Sequence, residues 1–348
     1  MNNSRLVFII LALCAIVTIT MIVLINLPRK DTATNSLPVL YPTSVPAQGR
    51  TVFPSNPPYP AFQSDTSKFQ YLGDILYNFP PGFSLPTKMA GYSVDSYSIT
   101  EAQAISLART FGMNDSPEAV STNDEQTLTW VTGEERLSVS LQSGYIEYVN
   151  TKIPAKSSSV VKLTRKEEVL ERTQSFLKAH GLVFSDISPS TNDVSYFIDD
   201  GIEPAETETF DDANLFSVSL VRKLDGIPVV PGFGHESQSV IWLNTFGNIT
   251  KLSFLYAAVQ RGSIQPLMKL ETAQGAVPKE GVTVHLGKGD ESVEQEDMAT
   301  TTFTSVSLGY FDDRSAHLFY PIFIFRGSAV SRSGETYDIT VYLPALAR

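Results

Sequence analysis

The chain has 348 residues, with 26 Lys and Arg against 37 Asp and Glu and a formal net charge of -11. That balance repels nucleic acid and anionic headgroups, and no basic patch interleaved with aromatics offsets it, so nucleic acid is excluded as a partner. One cysteine, Cys14, excludes a disulfide framework and a cysteine-based metal site, so the folded part must be held by its own apolar core.

Residues 6–25, LVFIILALCAIVTITMIVLI, carry no charge and hydroxyls only at Thr18 and Thr20. As a helix rising ~1.5 Å per residue they reach ~30 Å, the thickness of a bilayer's hydrocarbon core. The stretch predicts an uncleaved membrane anchor over residues 6–27, with a cytoplasmic tail at 1–5. A cleaved signal peptide would need a shorter run with a small-x-small site after it, whereas Asn26-Leu27-Pro28-Arg29-Lys30 follows. Leu13 and the apolar run beyond Cys14 argue against lipidation there. Arg5 before the span and Arg29 and Lys30 after it point the flanking charge the other way, but a long domain translocates largely regardless of flanking charge. The expectation is a single-pass protein of the cell membrane with its bulk outside the cytoplasm. Without disulfides, that setting points to a bacterial envelope.

Eight prolines fall among the thirty-three residues Pro28 to Pro60, without apolar periodicity. This predicts a proline-rich linker over 28–66. Phe62 to Thr87, with the turn-like Phe79-Pro80-Pro81-Gly82-Phe83, is expected to lead into a first folded unit and pack against it.

Beyond the linker the fold class is α+β, as modules each of a helix packed on an antiparallel sheet: 67–160, 161–262 and 263–348, with two modules as the alternative to three. In the first, Tyr92 to Tyr97 alternates as a strand. Thr100 and Gln103 then form a capping box that opens a helix over Glu101 to Phe111, stopped by Gly112. Strands follow at Thr127 to Thr132, Leu137 to Leu141 and Tyr145 to Asn150. In the second, Thr164 with Glu167 predicts a cap, and Val169, Leu170, Thr173, Phe176 and Leu177 share one helix face up to Gly181. Strands are expected at Val194 to Ile198, Leu215 to Val221, Ile227 to Val230, Ser239 to Leu243 and Ile249 to Tyr256, with turns at Asp225-Gly226 and Phe246-Gly247-Asn248. The third holds a helix from Leu270 to Val277 stopped by Pro278, a polar run over Gly287 to Asp297, and strands at Thr302 to Tyr310, His317 to Arg326 and Thr336 to Leu343. Ser-Val-Ser-Leu recurs at Ser138, Ser217 and Ser305, but the shared order of a helix and then strands is the better sign of a repeat.

Chemistry is sought and not found, so no catalytic, cofactor-binding or metal residue is assigned. His235-Glu236-Ser237-Gln238-Ser239 starts like a zinc-peptidase helix but lacks the second histidine four residues on, and reads as a loop. Gly234 to Gln238 is no nucleophile elbow, and Gly287-Lys288-Gly289-Asp290 is no phosphate loop. His180 ends a helix, where a cation suits the dipole. His285 and His317 complete the set of histidines. Two acidic clusters, Asp199, Asp200, Glu203, Glu206, Glu208, Asp211 and Asp212, then Asp290, Glu291, Glu294, Glu296 and Asp297, lack the order of a calcium loop and read as solvated. A glycosidase carboxylate pair cannot be placed from sequence. Trp130, Trp242, Tyr145, Tyr148 and Tyr256 occupy strand positions that packing explains.

Leu224-Asp225-Gly226-Ile227-Pro228-Val229, Val240 to Leu243 and Gly247 to Leu252 resemble the second half of YycH/YycI-type and PepSY-like extracytoplasmic domains. Leu308-Gly309-Tyr310, Pro321 to Gly327 and Val341 to Pro344 are similar to the closing strands, and Ile99 to Ala104 resembles a PepSY helix start. The resemblance covers Tyr92 to Ala345. It implies an anchored domain acting through a partner, a membrane sensor kinase or, in PepSY cases, a peptidase, and it implies no catalytic residue. The linker and the third module depart from the usual plan. The expected function is protein-protein contact with a membrane or envelope partner, regulatory or scaffolding and without catalysis. The alternatives are a peptide- or glycan-binding module and an envelope hydrolase, the latter needing His235 and His317 clustered with an acid.

Overall fold

The computed structural model of the chain describes residues 53–54, 57, 60, 62, 72–122, 125–151, 162–230, 239–288, 291–292 and 298–347. The expected anchor at Leu6–Ile25, its flanks, most of the linker and the His235 loop lie outside these residues. No helix among those described is long and apolar enough to cross a membrane.

In chain order the elements begin with β1 (Asp74–Tyr77), β2 (Lys88–Ser96), α1 (Glu101–Thr110), β3 (Glu118–Thr122), β4 (Glu125–Thr132), β5 (Glu135–Ser140) and β6 (Tyr145–Asn150). Next come α2 (Lys166–Ala179), β7 (Val194–Ile198), β8 (Ala205–Thr207), β9 (Leu215–Ser219), β10 (Lys223–Leu224), β11 (Ile227–Val230), β12 (Val240–Asn244) and β13 (Ile249–Leu255). The last are β14 (Ala258–Pro266), α3 (Leu270–Glu280), β15 (Val282–Lys288), β16 (Glu291–Ser292), β17 (Met298–Asp313), β18 (Leu318–Ser331) and β19 (Thr336–Pro344). The chain is therefore α+β, rich in strands and poor in helices.

Local chemistry explains the helix ends. At α1 the Gln103 amide donates to Thr100 Oγ1 at 3.3 Å while Gln103 Oε1 accepts from the Thr100 amide at 2.9 Å, the reciprocal box that the sequence predicts. Its buried face is Ala104, Leu107 and Ala108. In α2 the cap shifts by one residue: Arg165 is the N-cap, and the Thr164 amide donates to Glu168 rather than Glu167, at 2.8 Å. Pro278 does not stop α3, which runs on to Glu280. Proline lacks the amide that would satisfy the carbonyl four residues back. That carbonyl, of Gln274, accepts from the Tyr77 hydroxyl at 2.7 Å, so the helix continues with its orphan acceptor paired.

Two sheets organise the strands. The first has nine strands in the order β3-β4-β5-β6-β13-β12-β9-β7-β8. Here α1 and the meander β3 to β6 are followed by α2 and the meander β7, β9, β12, β13, and the last strands of the two meanders pair with each other, Leu252 opposite Tyr148. The expected boundary at 160/161 thus falls between two halves of one sheet, and the repeat lies in its strand order. The Ser-Val-Ser-Leu tetrapeptides do not mark it, since Ser138 sits in β5, the third strand of its meander, and Ser217 in β9, the second strand of the other. One core serves the whole sheet and both helices, with Leu107, Val139, Val169, Phe216 and Phe254 fully buried. Each such side chain contributes roughly 1.5–3 kcal/mol.

The second sheet has ten strands, with β10-β11-β17-β18-β19-β15-β16 in order and β1, β2 and β14 attached. It is not wholly antiparallel, because β1 and β11 both pair parallel to β17. Eight consecutive residues of β18, Leu318–Phe325, are buried, the continuous apolar run of a strand covered on both faces. Tyr310 donates to the Ala90 carbonyl at 2.9 Å, tying β17 to β2. After α3 the order of β15 to β19 does not repeat the earlier meanders, and the sheet recruits strands from all along the chain. The segment expected to lead into a first unit belongs here instead: Tyr77 stacks on Phe303, with ring centroids 5.8 Å apart, in the core of this sheet. So does part of the expected linker, for Phe53 is 2% exposed.

Four passages join the sheets: Tyr97–Thr100, Leu220–Arg222, the stretch from Val230 to Val240, and the dipeptide Tyr256-Ala257.

Candidate functional site

Three of the passages, at Tyr97, Leu220–Arg222 and Ala257, meet at one place. A cavity of about 200 Å³ lies there, lined among the described residues by Tyr97, Arg222, Val229, Leu255, Asp312 and Phe319, among others. Each is placed by an element end: Tyr97 just past β2, Arg222 just before β10, Leu255 closing β13, and Asp312 near the end of β17. Tyr97, Arg222 and Leu255 stand where the backbone leaves one sheet for the other and Asp312 at the β17–β18 hairpin of the second sheet, and polar side chains occur here because the apolar pattern of each strand has run out.

Arg222 is the hub. Its Nε donates to Asp186 Oδ2 at 2.6 Å and its Nη1 to the Ala257 carbonyl at 2.7 Å. The guanidinium lies 4.5 Å from the Tyr256 ring centroid and 5.4 Å from that of Phe319, two aromatic faces that attract a cation. Beside it the Tyr97 hydroxyl donates to Asp312 Oδ1 at 2.6 Å, and Arg314 Nε lies 3.6 Å from Asp312 Oδ2. Burial pushes the Asp312 carboxyl above its ordinary range, against the opposing pull of Tyr97, Arg314 and Arg222. The Tyr97 hydroxyl is pushed up, first by burial and then by the Asp312 charge. Chemically the constellation joins carboxylate to cation and carboxylate to phenol, and each group serves as the other's partner.

Tyr97 also borders a second, open cleft of about 550 Å³, with Ser96, Ser98, Glu125, Ser143, Arg314 and His317. Hydrogen bonds from Ser140 and Ser143, the latter at 2.8 Å, hold the Glu125 carboxyl below its usual range. His317 sits at φ 55 in the turn between β17 and β18, its ring centroid 5.5 Å from that of Tyr97.

The residues weighed in the sequence are dispersed. His317 reaches this cleft, His285 lies in β15, and His235 lies outside the described residues. His180 is the C-cap of α2, at the helix end its sequence position indicates, with its ring stacked on Phe111 at 3.9 Å and Nδ1 3.0 Å from the Thr110 carbonyl. Burial lowers its pKa, and the hydrogen bond to Thr110 opposes this. In the first acidic cluster, Asp199 and Asp200 accept from the Gly201 and Ile202 amides, and Asp212 from Thr209. Of the second cluster only Glu291, in β16, is described. No group of three or more potential ligands is placed to hold a metal among the described residues. Trp130 is buried, its Nε1 donating to the Asp115 carbonyl at 3.1 Å. Arg222, Asp186 and Asp312 carried no motif. The available signal was a charge interrupting an apolar run, in Leu220-Val221-Arg222 and again in Tyr310-Phe311-Asp312.

No protein-family model matches the chain, and no curated protein matches its sequence. Among solved structures, an uncharacterized protein from Eubacterium rectale aligns at 11% identity over 77% of this chain and 86% of its own, with a TM-score of 0.45. The Bacillus megaterium YpeB C-terminal domain aligns at 11% identity over 73% of this chain and 100% of its own, with a TM-score of 0.31.

Proposed function

We propose that the chain is a non-catalytic protein, anchored in the cell membrane through Leu6–Ile25, whose folded part acts outside the cytoplasm by binding another protein of the membrane or envelope, in a regulatory or scaffolding role. The uncharged twenty-residue stretch supports the location. The contact role rests on one observation, the open edge of the nine-stranded sheet. Strand β3 ends the sheet order and pairs only with β4 among the described residues, and Val120 at its centre is 45% exposed. An unpaired strand edge offers amides and carbonyls to a strand from a partner, and alternate side chains then select it. A second reading, a peptide- or glycan-binding module, is favoured by the open cleft beside Tyr97, with its mixture of acid, cation and hydroxyls.

Cross-linking of the full-length protein in its native membranes tests the first reading, beside two variants: Leu6–Ile25 replaced by an unrelated span, and Val120→Lys, which puts a charge on the open edge. One membrane protein captured by the native chain, and weakened by Val120→Lys, is the expected result. Capture of none by any of the three defeats it and turns attention to the cleft.

A further inference from the structure

The proline-rich segment before the fold ends in a contact its composition does not announce. Phe53 is 2% exposed, seated against two neighbouring strands where side chains are missing. A Cβ on Gly91, in β2, would lie 2.4 Å from the Phe53 ring, and one on Gly262, in β14, would lie 2.5 Å from Phe53 Cβ. The two strands pair with a register shift between Arg261 and Ile264, which brackets Gly262. Two glycines and a bulge thus leave a slot one aromatic ring wide, with Tyr320 closing one side edge-on at 5.8 Å. Beside it, the Gln265 side chain, 9% exposed, donates from Nε2 to the Pro54 carbonyl at 2.8 Å.

We propose that this slot is a receptor for an extended aromatic–proline peptide, filled in the resting chain by its own Phe53-Pro54. The two halves of the dipeptide are read separately: the ring by the glycine slot, the proline carbonyl by Gln265. Proline suits the site because it pre-extends the backbone and carries no amide needing a partner. The linker holds the same kind of dipeptide at Tyr41-Pro42 and Tyr59-Pro60. An aromatic anchor plus one hydrogen bond is a grip that a tethered segment holds by its high local concentration and that a partner's segment of the same chemistry can replace. Release leaves Phe62 in place, its ring 4.8 Å from that of Phe311, and adds to the linker at most the eight residues from Pro54 to Ala61, which extended span up to ~28 Å. The slot thus couples occupancy by a partner to the reach of the linker, and the inference does not rest on the β3 edge or on the membrane anchor.

The test uses the full-length chain in detergent and a fluorescent peptide of residues 50–57. Phe53→Ala, which empties the slot, should bind the peptide saturably, while the native chain binds it roughly tenfold more weakly or less because its own strap competes. The same peptide with Phe53→Ala should not bind. Equal binding by the native and Phe53→Ala chains, or none by a cooperatively folded Phe53→Ala chain, overturns the proposal. Failure of Phe53→Ala to fold overturns it too, since Phe53 would then be a fixed part of the core. Independently, Gly262→Ala crowds the slot and, added to Phe53→Ala, should weaken binding of the same peptide about tenfold or more. Unchanged peptide affinity in a folded double variant contradicts a slot that reads the aromatic ring.

Discussion

Arg222 and Asp186 meet at 2.6 Å with their side chains only 11% and 16% exposed, so the junction between the sheets is fastened by a nearly dehydrated ion pair. Removing one partner leaves the other charge buried and unmatched. Asp186→Leu or Arg222→Met alone should each cost about 3 kcal/mol or more in urea unfolding, and the double variant should recover most of that loss. Additive losses would show that the pair does not act as a unit.

His180 makes stability depend on pH in the mildly acidic range. Its folded pKa lies below the ordinary 6.5 because burial disfavours the charged ring, so its contribution is present above pH 6.5 and is lost as pH falls through the folded value. Urea midpoints of the native protein should decline over that window, and His180→Gln should flatten the decline while lowering the plateau above it.

Asp312 works in the opposite sense. Its folded pKa is raised above 3.8, so its contribution is present below that pH and is lost as pH rises through the folded value. Asp312→Asn keeps an acceptor for the Tyr97 hydroxyl and carries no charge. The stability of this variant relative to the native protein should therefore rise with pH from about 4 upward, as followed by unfolding at a series of pH values.

Thr173 is fully buried in α2, and its Oγ1 has no hydrogen-bond partner among the described residues. Thr173→Val keeps the shape and removes the unsatisfied hydroxyl, and should stabilise the protein by about 1 kcal/mol in denaturant titration. A loss of stability would mean that the hydroxyl is satisfied in solution.

What the sequence revealed was local. The Thr100–Gln103 box, the Asp225-Gly226 turn with both residues at positive φ, and most strands of the nine-stranded sheet follow from chemistry within a few residues of each other. The short strand β3 was not marked as one. Partnerships across the chain were invisible: Ile227–Val230 is a strand, as its residues say, but it pairs parallel to Tyr310-Phe311, far beyond any periodicity window. The junction was hidden for the same reason. Tyr97 and Asp312 are separated by 215 positions, and Arg222 and Asp186 by 36. The docking of Phe53 escaped because glycines in strands record an absence, and an absence has no pattern.

Because the chain passes between the sheets four times, neither sheet is the product of one continuous stretch, and no single cut can release either as an independent fragment. A polypeptide woven in this way transmits torque. Twisting one sheet loads the passages at Tyr97, Arg222 and Ala257 together, because they line one cavity, so a partner gripping an outer edge would be felt on the far side as rotation. It also has a cost during synthesis: β6, in the middle of its sheet, waits with one side uncovered until β13 has been made about a hundred residues later.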